Sequence, residues 1–424
     1  MLTLKIDTDQ PNGIFENGQH IQPFVLVDNH SDKSLTGQLM WRVTTDTGDF
    51  QEETTVAVTL PPGSSCQRTS VLESDQLTAG FYRMESQFQH QQQVISDQMM
   101  IGYQPDLIQT PLTRQPNFDD FWSKAETQLR QITPNYRAER QPNMGNERFN
   151  VYLVEICSVD NLAVRGWLEI PKSVGKHPAL LRVPGYGETM TPLNAPFDWV
   201  TFSFNPRGHG NSDDTPDDNL GHWVRGLDQP NSYFYRGAYM DVLRAMDYLL
   251  SRPEVDPEKG AVWGASQGGG FSLVVAALRP QTRYCIADVP FLCNWQRYFQ
   301  LTQWDEIDQW LAEKPETRNW SGLLKTLSYF DTINLTPRIE AEVLMAVGLQ
   351  DPVCPPATCF ASYNQIKGKK ACRVYKTAGH NLGQQHRQYA LNWLESRFNF
   401  PQNPIHIDGK PKKIRIDQCR KNFP

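Results

Sequence analysis

Closely spaced metal-ligand motifs are missing from this sequence of 424 residues. Its eight cysteines form no Cys-x-x-Cys pair, and its nine histidines show no His-Glu-x-x-His motif or comparable spacing. Most structural and catalytic zinc sites draw on such pairs. The sequence therefore predicts neither a metal site nor a cofactor.

Long apolar runs and an excess of positive charge are also missing. No stretch approaches the ~20 apolar residues of a membrane-spanning helix, and the residues after Met1 resemble an amphipathic strand rather than a signal peptide. The net charge of -6 gives no general attraction for nucleic acid or anionic membrane, and the basic segment from Lys410 to Lys413 is typical of a solvated end. We therefore expect no nucleic-acid or membrane partner. We also expect a cytoplasmic protein with free thiols, or an exported one if a signal peptide has been removed.

The first hundred residues favour an all-β domain. With 39% hydrophobic and 21% charged residues, the chain can bury a large core, and its length allows more than one domain. Turn-rich segments separate short runs of alternating or β-branched character. Strands are expected within residues 2–6, 24–27, 38–43, 54–60, 81–88 and 94–101. About seven strands in about a hundred residues predict an immunoglobulin-like sandwich over residues 1–105.

After residue 105 the pattern changes to alternating strands and helices. We predict a helix over 118–132 and a hairpin over 150–170. Further strands are expected at 179–183, 200–204, 260–263 and 343–347, and further helices at 238–250, 268–278 and 385–398. This alternation predicts a parallel α/β sheet over residues 106–400, whose ligands bind at the carboxyl ends of the strands. The Trp-rich and Gln-rich segment 295–326 is expected to form helices that cover the site, and residues 401–424 to form a tail.

Ser266 is the candidate nucleophile. It lies in Gly264-Ala265-Ser266-Gln267-Gly268, between an apolar strand and an apolar helix. Glycines on both sides permit the sharp strand-to-helix turn that exposes a nucleophilic hydroxyl. The motif alone is weak, and the strand and helix around it strengthen the interpretation.

A nucleophilic serine needs a base and a carboxylate that orients the base. In α/β-hydrolases the acid and then the histidine follow the serine, each after a strand. Asp351 follows the strand-like run 344–348, and His380 follows the strand-like run 373–376. In isolation Asp351 could begin a turn before Pro352, and His380 could be a histidine of a surface loop. His386 lies within the last predicted helix and His406 in the tail, so neither lies at a strand end.

Acyl transfer also needs donors for the oxyanion. The backbone N–H of Gln267, directly after the nucleophile, is one candidate. A second N–H should come from the loop Pro184-Gly185-Tyr186-Gly187, after the strand that ends at Val183. A simple glycine-rich turn is the alternative interpretation of this loop.

Several segments resemble those of one enzyme family, and the resemblance runs from about residue 118 to 398. They are Gly264-Ala265-Ser266-Gln267-Gly268-Gly269, Asp288-Val289-Pro290-Phe291-Leu292-Cys293, Leu327-Ser328-Tyr329-Phe330-Asp331 and Gly348-Leu349-Gln350-Asp351-Pro352-Val353-Cys354-Pro355-Pro356. They are similar to segments of the acetyl xylan esterase and cephalosporin C deacetylase family, carbohydrate esterase family seven.

The resemblance implies an α/β-hydrolase fold and a serine esterase that removes acetyl groups from small acetylated sugars. It implies Ser266, Asp351 and His380 as the triad and the N–H groups of Tyr186 and Gln267 as the oxyanion hole. It also implies a short-acyl pocket, for which the Pro290-Phe291 segment is the candidate wall, and a homo-oligomer.

The sequence departs from the family's motifs at three places. This sequence has Arg207-Gly208-His209 where the family has Arg-Gly-Gln, and His380-Asn381 where the family has His-Glu. It has Pro184-Gly185-Tyr186 where the family has His-Gly-Tyr. Arg207 and His209 are therefore candidates for a supporting role around the site. A histidine at position 209 could hold a charge that glutamine cannot.

Three other functions compete with this interpretation. A peptidase with a β-propeller is excluded, because one blade needs about 40 to 45 residues and only about 105 precede the α/β region. A non-catalytic carbohydrate-binding protein remains an alternative, although every triad residue is present. A short-chain esterase or thioesterase of other specificity is the third, because fold does not fix the substrate.

Overall fold

Two facing β-sheets form the N-terminal part of the chain. The computed structural model describes residues 2–19, 21–69, 77–213 and 221–399. The N-terminal strands are β1 (Leu2–Asp7), β2 (Ile14–Phe15), β3 (Phe24–Asn29), β4 (Leu35–Thr45), β5 (Phe50–Leu60), β6 (Ser65–Thr69), β7 (Gly80–His90) and β8 (Gln93–Tyr103). One sheet has the order β1-β3-β6 and the other β2-β8-β7-β4-β5. The sequence did not predict β2 and β6, because a two-residue strand and a largely polar one carry no alternating apolar signal.

A shared apolar core lies between these sheets. Val25 and Val27 of β3 are buried together with Leu39 and Trp41 of β4, as the two-residue period of a strand requires. The predicted all-β sandwich is confirmed, while its closer assignment as immunoglobulin-like stays a prediction.

Nine strands and eight helices follow within residues 106–213 and 221–399. The strands are β9 (Arg137–Arg140), β10 (Phe149–Cys157), β11 (Ala163–Pro171), β12 (His177–Val183), β13 (Val200–Asn205), β14 (Val255–Ala265), β15 (Tyr284–Asp288), β16 (Glu342–Gly348) and β17 (Lys370–Tyr375). The helices are α1 (Phe118–Gln131), α2 (Phe234–Leu250), α3 (Gln267–Leu278), α4 (Trp295–Leu301), α5 (Asp305–Glu313), α6 (Trp320–Leu327), α7 (Pro356–Gln365) and α8 (Gly383–Asn399).

The nine strands form one sheet with the order β17-β16-β15-β14-β12-β13-β11-β10-β9. Strands β12 to β17 are mutually parallel, whereas β9, β10 and β11 pair in antiparallel fashion. The chain order reverses at β12, because β13 lies on one side of this strand and β14 on the other. Ligands of such sheets bind at the carboxyl ends of the strands where the order reverses. Here Val183 of β12 is paired with Gly264 of β14, so the loop after β12 lies beside Ser266.

The helices have the arrangement that the alternating pattern predicts. Helix α3 is buried along its whole length, which is why its sequence is apolar on all sides. Segment 295–326 contains α4, α5 and the start of α6, as predicted, whereas α7 was not predicted. This α/β-hydrolase fold confirms the predicted fold class. Within the described ranges, no helix is both long and apolar enough to cross a membrane.

Two parts of the predicted domain organisation are left open. The tail over residues 401–424, with His406 and the basic segment, lies outside the described residues. The predicted boundary near residue 105 stays a prediction.

Polar contacts join the sandwich to the loops that follow β16 and β17. The side-chain amide of Gln350 accepts a hydrogen bond from the Met100 N–H at 2.8 Å and donates one to the Met100 carbonyl at 3.1 Å. Lys376 Nζ lies 2.7 Å from Asp7 Oδ1 and donates to the Thr8 carbonyl at 2.9 Å. The sandwich therefore contacts both loops.

Candidate active site

Ser266 occupies the sharp turn between β14 and α3. Its φ of 58° and ψ of -122° lie outside the regions that side chains normally allow. The Ser266 N–H donates to the Asp288 carbonyl at 2.9 Å, and the Ser266 carbonyl accepts from the N–H groups of Phe291 at 2.9 Å and Gly270 at 3.1 Å. These bonds hold the strained turn that presents the hydroxyl beyond the sheet edge.

Two glycines make this turn sterically possible. A Cβ atom at Gly264 would lie 2.5 Å from the carbonyl oxygen of Gly268, and a Cβ atom at Gly268 would lie 2.4 Å from the carbonyl oxygen of Val183. Both distances are shorter than real contacts allow, so the small residues let α3 begin directly against β12 and β14. The sequence motif therefore has a packing cause as well as a conformational one.

Asp351 and His380 lie on the loops after β16 and β17. Asp351 Oδ2 is 2.8 Å from His380 Nδ1, while Asp351 Oδ1 accepts from the N–H groups of Val353 at 2.8 Å and Cys354 at 2.9 Å. The Asp351 side chain is fully buried, and that of His380 is 34% exposed. The carboxylate is thus fixed by the backbone and orients the imidazole, which leaves Nε2 free to exchange protons.

Ser266 and His380 border the same two cavities. Within the described residues no direct hydrogen bond joins the Ser266 hydroxyl to His380. Such bonds are often long in unliganded enzymes and tighten when substrate binds. The structure therefore brings the predicted acid and base into contact and places the predicted nucleophile on the same open space.

Two backbone N–H groups are available to an oxyanion. Gln267 is the first residue of α3, so its N–H has no intrahelical acceptor. Tyr186 lies on the loop after β12, and no residue of the described chain accepts a hydrogen bond from its N–H. Because β12 and β14 are neighbours, both groups lie at the same edge of the sheet.

The Gln267 side chain belongs to a buried hydrogen-bond network. Its Oε1 accepts from the Tyr235 hydroxyl at 2.7 Å, and its Nε2 lies 2.9 Å from His209 Nε2. His209 Nδ1 is 2.9 Å from the Arg207 carbonyl. An amide NH₂ only donates and a carbonyl only accepts, so His209 carries its proton on Nδ1 and accepts on Nε2.

This network opposes the charge that the sequence suggested for His209. Burial lowers the pKa of His209, and a second ring proton would face the amide N–H of Gln267. Neutral His209 therefore holds the side chain of the residue that follows the nucleophile.

Arg207 supports this arrangement from outside the two cavities. Its Nε and Nη2 atoms bond the two oxygens of Asp241 at 2.8 and 3.0 Å, and its Nη1 atom bonds Asp160 at 2.9 Å. Although burial acts in the other direction, Asp241 raises the pKa of Arg207. A Cβ atom at Gly237 would lie only 1.9 Å from Arg207 Nη1, so α2 needs a glycine there. Arg207 thus fixes the segment that carries His209.

The small cavity beside Ser266 has a volume of about 250 Å³. Its lining residues are Gly185, Tyr186, Glu188, Ser266, Phe291, Trp304, Val353 and His380. Phe291 lines it, as predicted. Pro290 lines neither cavity beside Ser266 but packs against α3, where a Cβ at Gly269 would lie 2.9 Å from its Cα.

The large cavity has a volume of about 450 Å³ and extends from Ser266 toward α8. Its lining includes Trp263, the exposed Ala265 and Asn381, together with the arginines at positions 182 and 387. Glu188 borders both cavities, and its Oε2 accepts from the Gly185 N–H at 2.9 Å. Asn381, which replaces the family's glutamate, accepts from the Gly383 N–H at 2.9 Å.

A second histidine–aspartate pair lies below the large cavity. His386 Nε2 is 2.7 Å from Asp288 Oδ1, and His386 Nδ1 is 2.8 Å from the Tyr375 hydroxyl. Asp288 Oδ2 accepts from the Trp263 indole N–H at 2.7 Å. His386 is buried and has both ring nitrogens occupied, in contrast to the partly exposed His380.

Cys354 is a neighbour of the triad that the sequence did not predict. Its Sγ and ligand atoms of Asp351 and His380 lie within 4.8 Å of one another. Burial raises the pKa of the Cys354 thiol well above its usual value, and Ser266 acts in the opposite direction. Asp351 and His380 already bond each other, and a buried neutral thiol is a poor metal ligand.

Other lining residues were also missed by the sequence interpretation. Glu188 lies on an irregular loop with no periodic signal, and Val353 follows Asp351 within a turn. Trp304 lies just before α5, in the segment predicted to cover the site. The Trp-rich and Gln-rich composition of that segment was the only feature of the sequence that pointed to it.

Comparisons with known proteins agree with this geometry. The acetyl xylan esterase (AXE1) family model matches residues 109–397. Acetyl esterase Axe7A of Xylanibacter ruminicola is 26% identical over an alignment of 320 residues that covers 70% of this chain and 70% of that one.

Two solved structures are similar over most of the α/β region. The acetyl xylan esterase from Paenibacillus sp. R4 is 31% identical with a TM-score of 0.65, over 69% of this chain and 98% of that one. Acetyl xylan esterase 1 from Thermoanaerobacterium sp. is 29% identical with a TM-score of 0.64, over 69% of this chain and 97% of that one. The residues matched to the family begin after the sandwich and include Ser266, Asp351 and His380. The chain therefore belongs to the acetyl xylan esterase family and is a carboxylic ester hydrolase.

Proposed function

We propose that this enzyme removes acetyl groups from acetylated sugars and small xylo-oligosaccharides, with Ser266, His380 and Asp351 as its catalytic triad. The observation that carries the proposal is the 2.8 Å contact between Asp351 and His380 on the same cavities as the strained Ser266 turn. The relatives support the acetyl and carbohydrate parts of the proposal, because they are named as an acetyl esterase and acetyl xylan esterases.

The proposed reaction proceeds through an acetyl-enzyme. His380 Nε2 accepts the Ser266 hydroxyl proton while Ser266 Oγ attacks the acetyl carbonyl carbon, and Asp351 stabilises the imidazolium. The tetrahedral intermediate then expels the sugar alkoxide, which takes the proton from His380. Water attacks the acetyl-enzyme by the same route and releases acetate.

The N–H groups of Tyr186 and Gln267 are proposed to bind the oxyanion. One such donor can contribute roughly 3 to 4 kcal/mol to transition-state stabilisation. His209 and Tyr235 bond the two ends of the Gln267 amide, so they keep this residue from turning away from the site. Their proposed role is to position Gln267 rather than to take part in proton transfer.

The small cavity is proposed to hold the acetyl group. It has aromatic side chains from Phe291 and Trp304 and a volume of only about 250 Å³. An acetyl methyl group fits against such walls, whereas a longer acyl chain meets the two rings. This makes acetyl esters better substrates than butyryl esters. The homo-oligomer and the cytoplasmic location stay predictions.

Kinetics on matched esters test this function. The specificity constant kcat/KM should be measured for acetylated xylo-oligosaccharides, p-nitrophenyl acetate and p-nitrophenyl butyrate, with Ser266→Ala as the blank. Both acetyl substrates should be hydrolysed faster than the butyrate, and Ser266→Ala should lower kcat by about 10⁴-fold or more. An equal or larger kcat/KM for butyrate would reject the deacetylase assignment, and a fully active Ser266→Ala enzyme would reject the triad.

A further inference from the structure

Two arginines in the large cavity have no carboxylate partner among the described residues. Arg182, at the end of β12, donates through Nη1 to the Thr191 carbonyl and to Ser203 Oγ, both at 3.0 Å. Its Nε and Nη2 atoms have no acceptor within the described chain. Arg387, in the first two turns of α8, is exposed and forms neither a hydrogen bond nor an ion pair there.

The acidic groups of this cavity are engaged elsewhere. Glu188 accepts from the Gly185 N–H, and Asp288 accepts from Trp263 and His386. Neither carboxylate forms an ion pair with an arginine of the cavity. Glu188 and the buried Glu169 lie near enough to Arg182 to raise its pKa, but neither forms an ion pair with it, so among the described residues Arg182 is a partly buried cation without a carboxylate in direct contact.

Electrostatics also shows that the two guanidinium groups are close enough to repel each other. Burial, and after it the charge of Arg387, lower the pKa of Arg182 to about 10, although Glu169 and Glu188 act in the opposite direction. An anion between the two groups would offset their repulsion and would accept hydrogen bonds from the Nε and Nη2 atoms of Arg182. The cavity that these two arginines line is also lined by Ser266 and His380.

Resting on the proposed function, we propose that the large cavity binds the sugar part of the substrate and that Arg182 and Arg387 bind a carboxylate on it. The preferred substrate is then an acetylated sugar acid, or an acetylated oligosaccharide that carries a uronic acid. The small aromatic cavity suits the acetyl group, and the larger one, with Trp263 on its wall, suits the leaving sugar. Both border His380, which must protonate that leaving group.

A carboxylate fits this cavity better than a phosphate group does. Two guanidinium groups can bind the two oxygens of one carboxylate with paired hydrogen bonds. Glu188 and Asp288 line the same cavity, so a doubly charged phosphate would meet more repulsion than a singly charged carboxylate.

A matched pair of substrates tests the proposal. Acetylated methyl glucuronoside and its methyl ester differ in the negative charge and in one methyl group. The full-length enzyme should hydrolyse the acetyl group of the acid with a kcat/KM about five- to tenfold higher at low salt, and the ratio should fall as salt is added. Arg387→Gln should bring this ratio to about one. Lys367→Gln removes an exposed positive charge in the connection before β17, at the amino end of that strand, and should leave the ratio unchanged.

Inhibition of the unmodified enzyme gives a second readout that needs no variant. The inhibition constant of methyl glucuronoside against hydrolysis of p-nitrophenyl acetate should be about fivefold or more below that of methyl glucoside.

Each contrary result has a distinct meaning. Equal kcat/KM for the acid and the ester, or a preference that survives Arg387→Gln, would overturn the carboxylate site while the acetyl esterase function stands. A higher kcat/KM for an acetylated sugar phosphate than for the acid would show that the two arginines bind phosphate rather than a carboxylate. Failure to hydrolyse p-nitrophenyl acetate or either sugar would overturn the proposed function, and this inference with it.

Discussion

Gln350 is bonded to both backbone groups of Met100, although the two residues are 250 positions apart. The same side chain donates to the Lys376 carbonyl at 2.7 Å, and the Gln350 N–H donates to the Ala378 carbonyl at 2.9 Å. Gln350 directly precedes Asp351, and Lys376 and Ala378 lie four and two residues before His380. Gln350 therefore connects the sandwich to the loop of Asp351 and to the loop of His380.

Gln350→Ala should lower kcat by about tenfold and leave KM within about twofold, because the loops of Asp351 and His380 lose a shared anchor while the substrate contacts remain. The loss corresponds to about 1.4 kcal/mol. Steady-state kinetics on p-nitrophenyl acetate measures it. Gln93→Ala, an exposed residue at the start of the same strand, is the matched control. A normal kcat for Gln350→Ala would mean that the hydrogen bonds of this side chain do not affect the positions of Asp351 and His380.

His380→Ala and His386→Ala should have different effects. Loss of the base should lower kcat by several orders of magnitude with the fold intact. Loss of His386 should keep kcat within about tenfold but cost about 3 kcal/mol of unfolding free energy, because buried Asp288 loses a partner. Kinetics and urea unfolding of both variants measure the contrast. A larger loss of kcat in His386→Ala would mean that the base is misassigned.

His209→Gln should keep kcat within about threefold and leave the acidic limb of the pH–rate profile in place. Burial lowers the pKa of His209, so the ring is already neutral where the limb falls, and a glutamine oxygen can accept from Gln267 in the same way. His209→Leu should lower kcat by about tenfold, since the Gln267 amide then lacks its acceptor. A shift of the acidic limb in His209→Gln would instead identify His209 as a titrating group.

Phe291→Leu should increase the ratio of butyryl to acetyl kcat/KM by about fivefold, because a smaller side chain opens the small cavity to longer acyl chains. Discrimination between substrates that differ by one methylene group is worth about 1 to 3 kcal/mol. Phe360→Leu changes a buried ring that lines neither cavity and is the control for general loosening of the core. An unchanged ratio in Phe291→Leu would place the acyl chain elsewhere.

Asp7→Asn should destabilise the protein near pH 6 but progressively less as the pH falls from about 4 to 2. Burial alone would raise the pKa of Asp7, but Lys376 and Lys5 lower it to about 2. The ionised form is therefore favoured by folding, and its contribution is lost as the carboxylate takes up a proton. Unfolding midpoints across this pH range, with exposed Asp9→Asn as the control, measure the effect. A pH-independent difference would show that the ion pair contributes nothing.

The sequence was informative where local rules apply. The turn around Ser266 follows from glycines and from the change of apolar period, and these features lie within a few residues of one another. Asp351 and His380 could be predicted because chain order and strand ends constrain where an acid and a base can be.

The rest depends on contacts between distant segments. Gln350 bonds backbone atoms of Met100, and backbone atoms are alike in almost every residue, so no side-chain pattern reveals the pair. Arg182 resembled an ordinary strand residue and Arg387 an ordinary exposed helix residue until the sheet brought them to one cavity. Burial favours the neutral form of His209, and a three-residue motif does not show whether a residue is buried.

The contact between Gln350 and Met100 has a consequence for how this protein can diverge. Because position 100 contributes only its N–H and carbonyl groups to Gln350, these two bonds need no particular side chain there, whereas the Met100 side chain itself packs against the core of the α/β region. Proline is the exception, since it has no N–H. The backbone bonds to Gln350 can therefore persist when the side chain at position 100 changes, so a substitution there tests the packing of the sandwich separately from its link to the loops of Asp351 and His380.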